Sequence, residues 1–508
     1  MLQQLKAQDA AFLYMETKDN LTHVTSFGIF DPSTAPDSHV RFKDIIAHVE
    51  SRLHTSPIFK RRLVHVPFEL DYPYWADDPN FDLEYHIRHA GLPKPGDWRQ
   101  LCIHMARYHS RPLDMNRPPW EMYILEGLDN VEGVPPGSFA VVTKIHHVAV
   151  DGASAMRFFA AMADSDAKGT PAIDISSIET PPLVEPGLPQ ILNRAVVNNM
   201  TSPVRLANTV IRSSPMIVDM FKKAVATDDN AERHGVPDTR FNREVSPHKM
   251  FDGTNFSLAD FTEIRQLVPG ATINDVVLAI CAGGLRGYLD AHNELPEEPL
   301  VAWVPINARP RGKNGVASGN NITAMTAAIH THIADPVARL KAIKETTQKT
   351  KEAKSGVSAR LMTDISQHVS SATQVLAARL ISRVGSGPRI CNLFVSNVPG
   401  PQVPMYMAGA KQVSNYGMAP LNNGMGLFIA TPSYNGNMTF GVTSTREIMP
   451  DIAFFVDCLD ESFNELMKAT KDIKPSIQKK TRSGKKSKRA KKVRKIKAAK
   501  TGGVSNAS

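Results

Sequence analysis

Apolar residues along this chain recur with two different periods, and their alternation predicts interleaved strands and helices. The run FAVVTKI, Phe139 to Ile145, is apolar and β-branched, as a buried strand requires. Ala153 to Ala163 follows with Met156, Phe159 and Ala160 on one side, which predicts a helix. Further along, Ile452, Phe455, Val456, Leu459, Phe463, Leu466 and Met467 fall on one face at helical spacing behind Pro450. Just before them, Asn435-Gly436 sits between two strand-like runs, a hairpin signal. Another helix is expected from Pro336 to about Lys354, with Asp335 as its N-cap.

The same reading divides the chain. Residues 1–165 and 240–470 both read as mixed α/β, with no period that would indicate a solenoid. Between them, 166–188 is rich in Pro, Ser and Thr and reads as a linker. Residues 189–225 place Ile191, Val196, Leu206, Val210, Ile211 and Ile217 among polar neighbours. Short amphipathic helices broken at Pro203 and Pro215 are expected there. Two α/β domains, separated by the 166–239 crossing segment, are the predicted architecture.

Composition changes that picture in one place. The 508 residues hold 59 Lys and Arg against 50 Asp and Glu, a formal net charge of +9. From Lys471 to Ser508 there are 15 basic residues and one acid, Asp472, a net of +14. The rest of the chain is therefore slightly acidic, at −5. That distribution argues against a nucleic-acid-binding body. The tail has no aromatic residue for base stacking, so it reads as a solvated, disordered appendage. Attraction to an anionic lipid surface is its next most natural use.

Other classes drop out on simple grounds. Cys102, Cys281, Cys391 and Cys458 are far apart and form no CxxC pair or Cys/His cluster, so neither a disulfide framework nor a metal site is expected. The opening MLQQLKAQDAAFLYM lacks a basic region followed by an apolar run, so no signal peptide is expected. No apolar stretch approaches the roughly 18 residues of a membrane span. A cytoplasmic, peripherally lipid-associated protein is the expectation.

The candidate chemistry lies at residues 146–152, HHVAVDG, between the predicted strand and helix. A strand-to-helix turn is where α/β folds place reactive groups. Neighbouring strand residues point to opposite faces, so His146 and His147 cannot both aim into one cleft. One is free to act as a base while the other packs or supports the turn. Histidine suits proton abstraction from a hydroxyl because its pKa lies near neutrality. Asp151 could turn back to orient a ring, or simply cap the following helix, and Gly152 lets the chain bend. The sequence has no GxSxG elbow, phosphate-binding loop or GxGxxG after a strand. A base without a protein nucleophile fits direct attack of a bound alcohol or amine on an activated acyl donor.

HHVAVDG resembles the HHxxxDG motif of the bacterial wax ester synthase/diacylglycerol acyltransferase family, within the wider CoA-dependent acyltransferase superfamily. Other blocks resemble that family in its own order: DAAFLYMETKDNLTHV (9–24), RPLDMNRPPWE (111–121), DTRFN (238–242), GATINDVVLA (270–279), VPINARPRGKNGVASGNN (304–321) and LFVSNVPGP (393–401). The resemblance spans about residues 5–468. It implies two chloramphenicol-acetyltransferase-like domains with an interdomain tunnel. It also implies His147 as general base, with His146 and Asp151 supporting it. Asn274 and Asp275 match the family's ND motif, although Thr272-Ile273-Asn274-Asp275 also reads as a helix cap. Pro119 stands where the family has Leu in its PLW block, and Asn307 where Ser is frequent. Trp120 reads as a core aromatic, and Asn397–Pro401 as a rigid turn after a strand.

The implied reaction is esterification of diacylglycerol or a long-chain alcohol by acyl-CoA, with acyl-CoA as co-substrate and no bound cofactor. Two alternatives stay open: a condensation-type enzyme using carrier-protein thioesters, and a non-catalytic lipid-binding homologue. The expected partners are these lipids and an anionic membrane or lipid-droplet surface held by residues 471–508, with no specific nucleic acid.

Overall fold

The computed structural model describes residues 3–150, 162–169, 183–201, 235–307, 322–352, 375 and 389–472. The helix expected over 153–163, most of the linker, the breaks at Pro203 and Pro215, and the basic tail beyond 472 lie outside the described residues.

Two six-stranded sheets organise the rest, as the α/β reading required. The first runs in the order Tyr406–Met407, Ala410–Met418, His23–Asp31, Phe139–His146, Trp120–Glu126, Ile87–Gly91. Its pairs are antiparallel except the last. The second runs Ile322–Ala328, Val301–Asn307, Leu393–Pro399, Phe428–Tyr434, Asn437–Thr445, Lys249–Ser257, with Leu393–Pro399 parallel to both neighbours. A small third sheet joins Gln3–Gln4, Tyr74–Asp77 and Arg61–Val64.

The first sheet is not drawn from the first half alone. Ala410–Met418 leaves the 240–470 stretch to pair with His23–Asp31, from Lys411 opposite Asp31 to Met418 opposite Thr25. Behind this crossing lies an aromatic cluster: Phe27 stacks on Tyr416 at 5.1 Å and meets Phe251 edge-on at 5.5 Å. Trp98 Nε1 donates to Asp252 Oδ1 at 2.8 Å, tying the Trp98–His109 helix to the edge strand of the second sheet.

Local signals decided several elements. The helix Pro336–Glu352 begins where Asp335 Oδ1 accepts from the Ala338 N–H at 2.7 Å. Asn435 and Gly436 both take positive φ, 45° and 81°, the backbone that a tight two-residue hairpin demands. Residues 452–472 are helical and bury Ile452, Phe455, Val456, Leu459, Phe463 and Leu466. This helix packs against Ile273–Ala291 so closely that a Cβ on Gly284 would meet Leu459 Cδ2 at 2.7 Å.

The structure sharpens one expectation and corrects another. In the helix over 188–201 the buried positions are Ile191 and Ala195, whereas Val196 is exposed. The small sheet lies against the 191/195 face, and Asn198 on the following turn donates to Asp71 Oδ2 at 2.7 Å, which rotates Val196 outward. Asn397-Val398-Pro399 is not a turn but the end of a strand, paired with Thr431, Pro432 and Ser433. Beyond Phe394 this strand has no second partner among the described residues, and an open edge tolerates a proline without an N–H. No helix among the described residues is long and apolar enough to cross a membrane.

Candidate functional site

The strand Phe139–His146 is the structural origin of the site. It pairs on both sides and all eight of its residues are buried, in keeping with its β-branched composition. The strand ends at His146, and the Ala149 N–H folds back to the His146 carbonyl at 3.0 Å. His147, the first residue of that turn, is only half-buried, and its N–H donates to the Thr22 carbonyl at 2.9 Å.

His146 is fully buried and held at both ring nitrogens. Its Nδ1 accepts from the Val148 N–H at 3.1 Å, which places the ring proton on Nε2. Nε2 lies 2.9 Å from Glu16 Oε2 and 3.0 Å from Thr22 Oγ1. The Thr22 hydroxyl donates to the Phe12 carbonyl at 2.9 Å, so toward His146 it accepts. A ring so committed is a support for the turn. His147 instead stacks on Phe12, with centroids 3.8 Å apart and planes 12° from parallel.

Beneath these residues lie two buried histidines kept neutral by their surroundings. His23, opposite His146 in the sheet, donates from Nε2 to the His109 carbonyl at 2.7 Å. Burial, then the charges of His109 and Lys144, hold the His23 pKa well below the usual imidazole range. His109 accepts from the Thr25 hydroxyl at Nδ1 and donates to the Ala419 carbonyl from Nε2. Burial, with Lys249 and Lys144 nearby, pushes its pKa down to about 3. Both rings are therefore uncharged at neutral pH, and they tie the His23–Asp31 strand to the Trp98–His109 helix and to the crossing segment. Lys249, depressed to about 8 mainly by burial, donates from the second sheet to the carbonyls of Asp19 and Ser246, each at 2.9 Å. It thereby anchors the 16–22 loop that carries Glu16 and Thr22.

The other expected site residues are placed differently. Asp151 and Gly152 lie outside the described residues. Asp275 is buried in a capping box: Thr272 N–H and hydroxyl both donate to Asp275 Oδ2, at 2.8 and 2.7 Å. Its other oxygen accepts from the Thr347 hydroxyl at 2.7 Å. Among the described residues these hydrogen bonds stay within the second half and do not reach the histidine turn. Asn274 sits half-buried beside it in the first turn of the same helix. Trp120 is a core residue: it donates from Nε1 to the Phe59 carbonyl at 3.0 Å and stacks on His86 at 4.5 Å. Missing from the sequence reading were the roles of Phe12, Glu16 and Thr22. Their block was recognisable as a unit, but no local rule connects it to histidines 124 or more positions further on.

Comparison with known proteins finds relatives over most of the chain. Residues 5–277 match the wax ester synthase/diacylglycerol acyltransferase catalytic domain, and 318–467 match the C-terminal domain of the same family. The O-acyltransferase WSD of Acinetobacter baylyi (strain ATCC 33305 / BD413 / ADP1) is 30% identical over 92% of this chain and 98% of its own length. A provisionally named diacylglycerol O-acyltransferase of Mycobacterium tuberculosis (strain CDC 1551 / Oshkosh) is 30% identical over 93% of this chain and 91% of its own. Among solved structures, the wax ester synthase/diacylglycerol acyltransferase from Marinobacter aquaeolei VT8 superposes with a TM-score of 0.64 at 26% identity, covering 92% of this chain and 99% of that one. The chain belongs to the wax ester synthase/diacylglycerol acyltransferase family and is an acyltransferase.

Proposed function

We propose that this enzyme transfers an acyl chain from acyl-CoA to the hydroxyl of diacylglycerol or a long-chain alcohol, with His147 as general base. The observation that supports this reading is the division of labour at the turn. His146 is consumed by hydrogen bonds at both nitrogens, while the His147 ring, half-buried at the carboxyl end of a central strand, is held by stacking. His147 takes the hydroxyl proton as oxygen bonds to the thioester carbonyl. The carbon–sulfur bond then breaks, and the proton passes to the departing thiolate, giving an ester and free CoA. Acyl-CoA serves as co-substrate and no resident cofactor is invoked. The two substrates would approach from opposite ends of a passage between the halves, with Asp151 and Gly152 shaping the turn and Asn274 contributing from the second half.

The direct test offers purified enzyme labelled acyl-CoA, with diacylglycerol and a long-chain alcohol in competition. Labelled triacylglycerol, wax ester or both are the expected products. Transfer from carrier-protein thioesters but not from acyl-CoA would overturn the donor assignment, and no transfer from either would overturn the catalytic reading.

The basic tail is proposed to hold the enzyme at an anionic membrane or lipid-droplet surface. Support comes from its charge, since each basic residue near such a surface contributes about 1 kcal/mol. Removing residues 471–508 should abolish sedimentation with anionic vesicles at low salt, as should high salt with the full chain. Unchanged binding by the truncated chain would sink the tether.

A further inference from the structure

We infer that Phe12 is a positioning residue that stabilises the protonated form of His147, so that its aromatic face raises the basicity of the catalytic ring. The inference rests on the assignment of His147 as base and adds the group that tunes it.

The geometry is unusual for a packing contact. The two rings are nearly parallel with centroids 3.8 Å apart, so the imidazole lies over the face of the phenyl ring and not at its edge. The face of an aromatic ring is the negative pole of its quadrupole, and a cation within about 6 Å of the centroid is attracted to it. Neutral imidazole gains only stacking from this arrangement, whereas imidazolium gains stacking and charge. The interaction therefore strengthens when His147 holds the proton, between attack of the hydroxyl oxygen and protonation of the thiolate. An interaction stronger at that stage than in the resting enzyme accelerates the reaction.

The main chains that carry both rings are held by one residue. The Thr22 hydroxyl donates to the Phe12 carbonyl at 2.9 Å, and the Thr22 carbonyl accepts from the His147 N–H at 2.9 Å. Phe12 also sits on the helix Ala7–Met15, which is anchored on either side of it by buried Ala10 and Tyr14. The backbone positions on both sides of the stack are thus held together. Among the described residues, the titratable groups nearest the turn are committed elsewhere. Glu16, at the end of the same helix, is engaged by His146. Across the strand pair His23 is bonded to His109, and Lys144 on the histidine strand is paired with Glu121 at 3.4 Å.

The test measures kcat and KM against pH for the full-length enzyme and for Phe12→Leu, Phe12→Tyr and His147→Ala, with circular dichroism on each. Leucine keeps apolar bulk and removes the ring face. Phe12→Leu should lower kcat by about 2- to 30-fold with KM changed less than twofold, and move the acid limb of the profile to lower pH by up to about one unit. Phe12→Tyr, which retains the face, should restore the wild-type limb. A Phe12→Leu enzyme whose acid limb stays in place or moves to higher pH overturns the inference, even if its rate falls, because lost packing alone would hydrate His147 and raise its pKa, not lower it. Should leucine disturb the fold, Phe12→Trp carries the test: its stronger ring face should move the limb to higher pH, and an unmoved limb overturns the inference. Turnover surviving in His147→Ala would instead remove the base assignment, a failure distinct from that of Phe12.

Discussion

Replacing His147 with alanine should lower acyl transfer by about 10²–10⁴-fold, the contribution of a positioned general base, without unfolding the protein. The structure explains why the two effects separate here. His147 is half-buried and its main-chain bond to the Thr22 carbonyl survives truncation of the side chain. The adjacent histidine would not give so clean a result. His146→Ala would leave Glu16, the Thr22 hydroxyl and the Val148 N–H without their shared partner in a buried site, mixing lost activity with lost stability. Product formation from labelled acyl-CoA, beside a circular dichroism spectrum matching the wild type, checks the prediction. A folded His147→Ala enzyme that keeps its turnover would remove His147 from the mechanism.

Trp120→Ala should cost about 3–5 kcal/mol of stability, among the largest penalties available to a single substitution in this chain. The indole is 1% exposed and sits edge-on to Phe59 at 5.5 Å as well as stacked on His86. Truncation would open a cavity and also strip the Phe59 carbonyl of its donor. The thermal midpoint should fall on the order of 10 °C, and Trp120→Phe should recover most of the packing but not the hydrogen bond. An unchanged midpoint accompanied by altered acceptor choice would show that Trp120 lines the substrate passage instead. This residue lies in RPPW, a block that resembles a family signature. Its contacts show how a motif residue can be maintained by packing.

The same distinction separates what was legible from what was not. Asp335 and Asn435-Gly436 were readable because a cap and a tight turn are set by residues within a few positions of one another. The apolar face of 452–472 was readable because helical periodicity is local as well. Which apolar positions of the 188–201 helix are buried was not legible, because its inward face was chosen by the small sheet and by the Asn198–Asp71 bond, neither of which is encoded at neighbouring positions. Pro399 misled because a proline at an open strand edge looks, in sequence, like a proline in a turn. Asp275 matched both a site motif and a cap, and its observed bonds are those of the cap, closed by Thr347 on a separate helix.

By itself, then, the sequence determined the α/β class, the burial of the 139–146 strand, the position of the paired histidines at its end, and the split between a slightly acidic body and a basic tail. Each follows from composition or from spacing over a single element. Only the tertiary structure decided that Ala410–Met418 crosses into the first sheet, that Glu16 and Thr22 hold His146, and that Phe12 lies against His147. Those are contacts between segments more than a hundred residues apart. Backbone pairing and burial select them once the chain has closed on itself, and no local propensity distinguishes them beforehand.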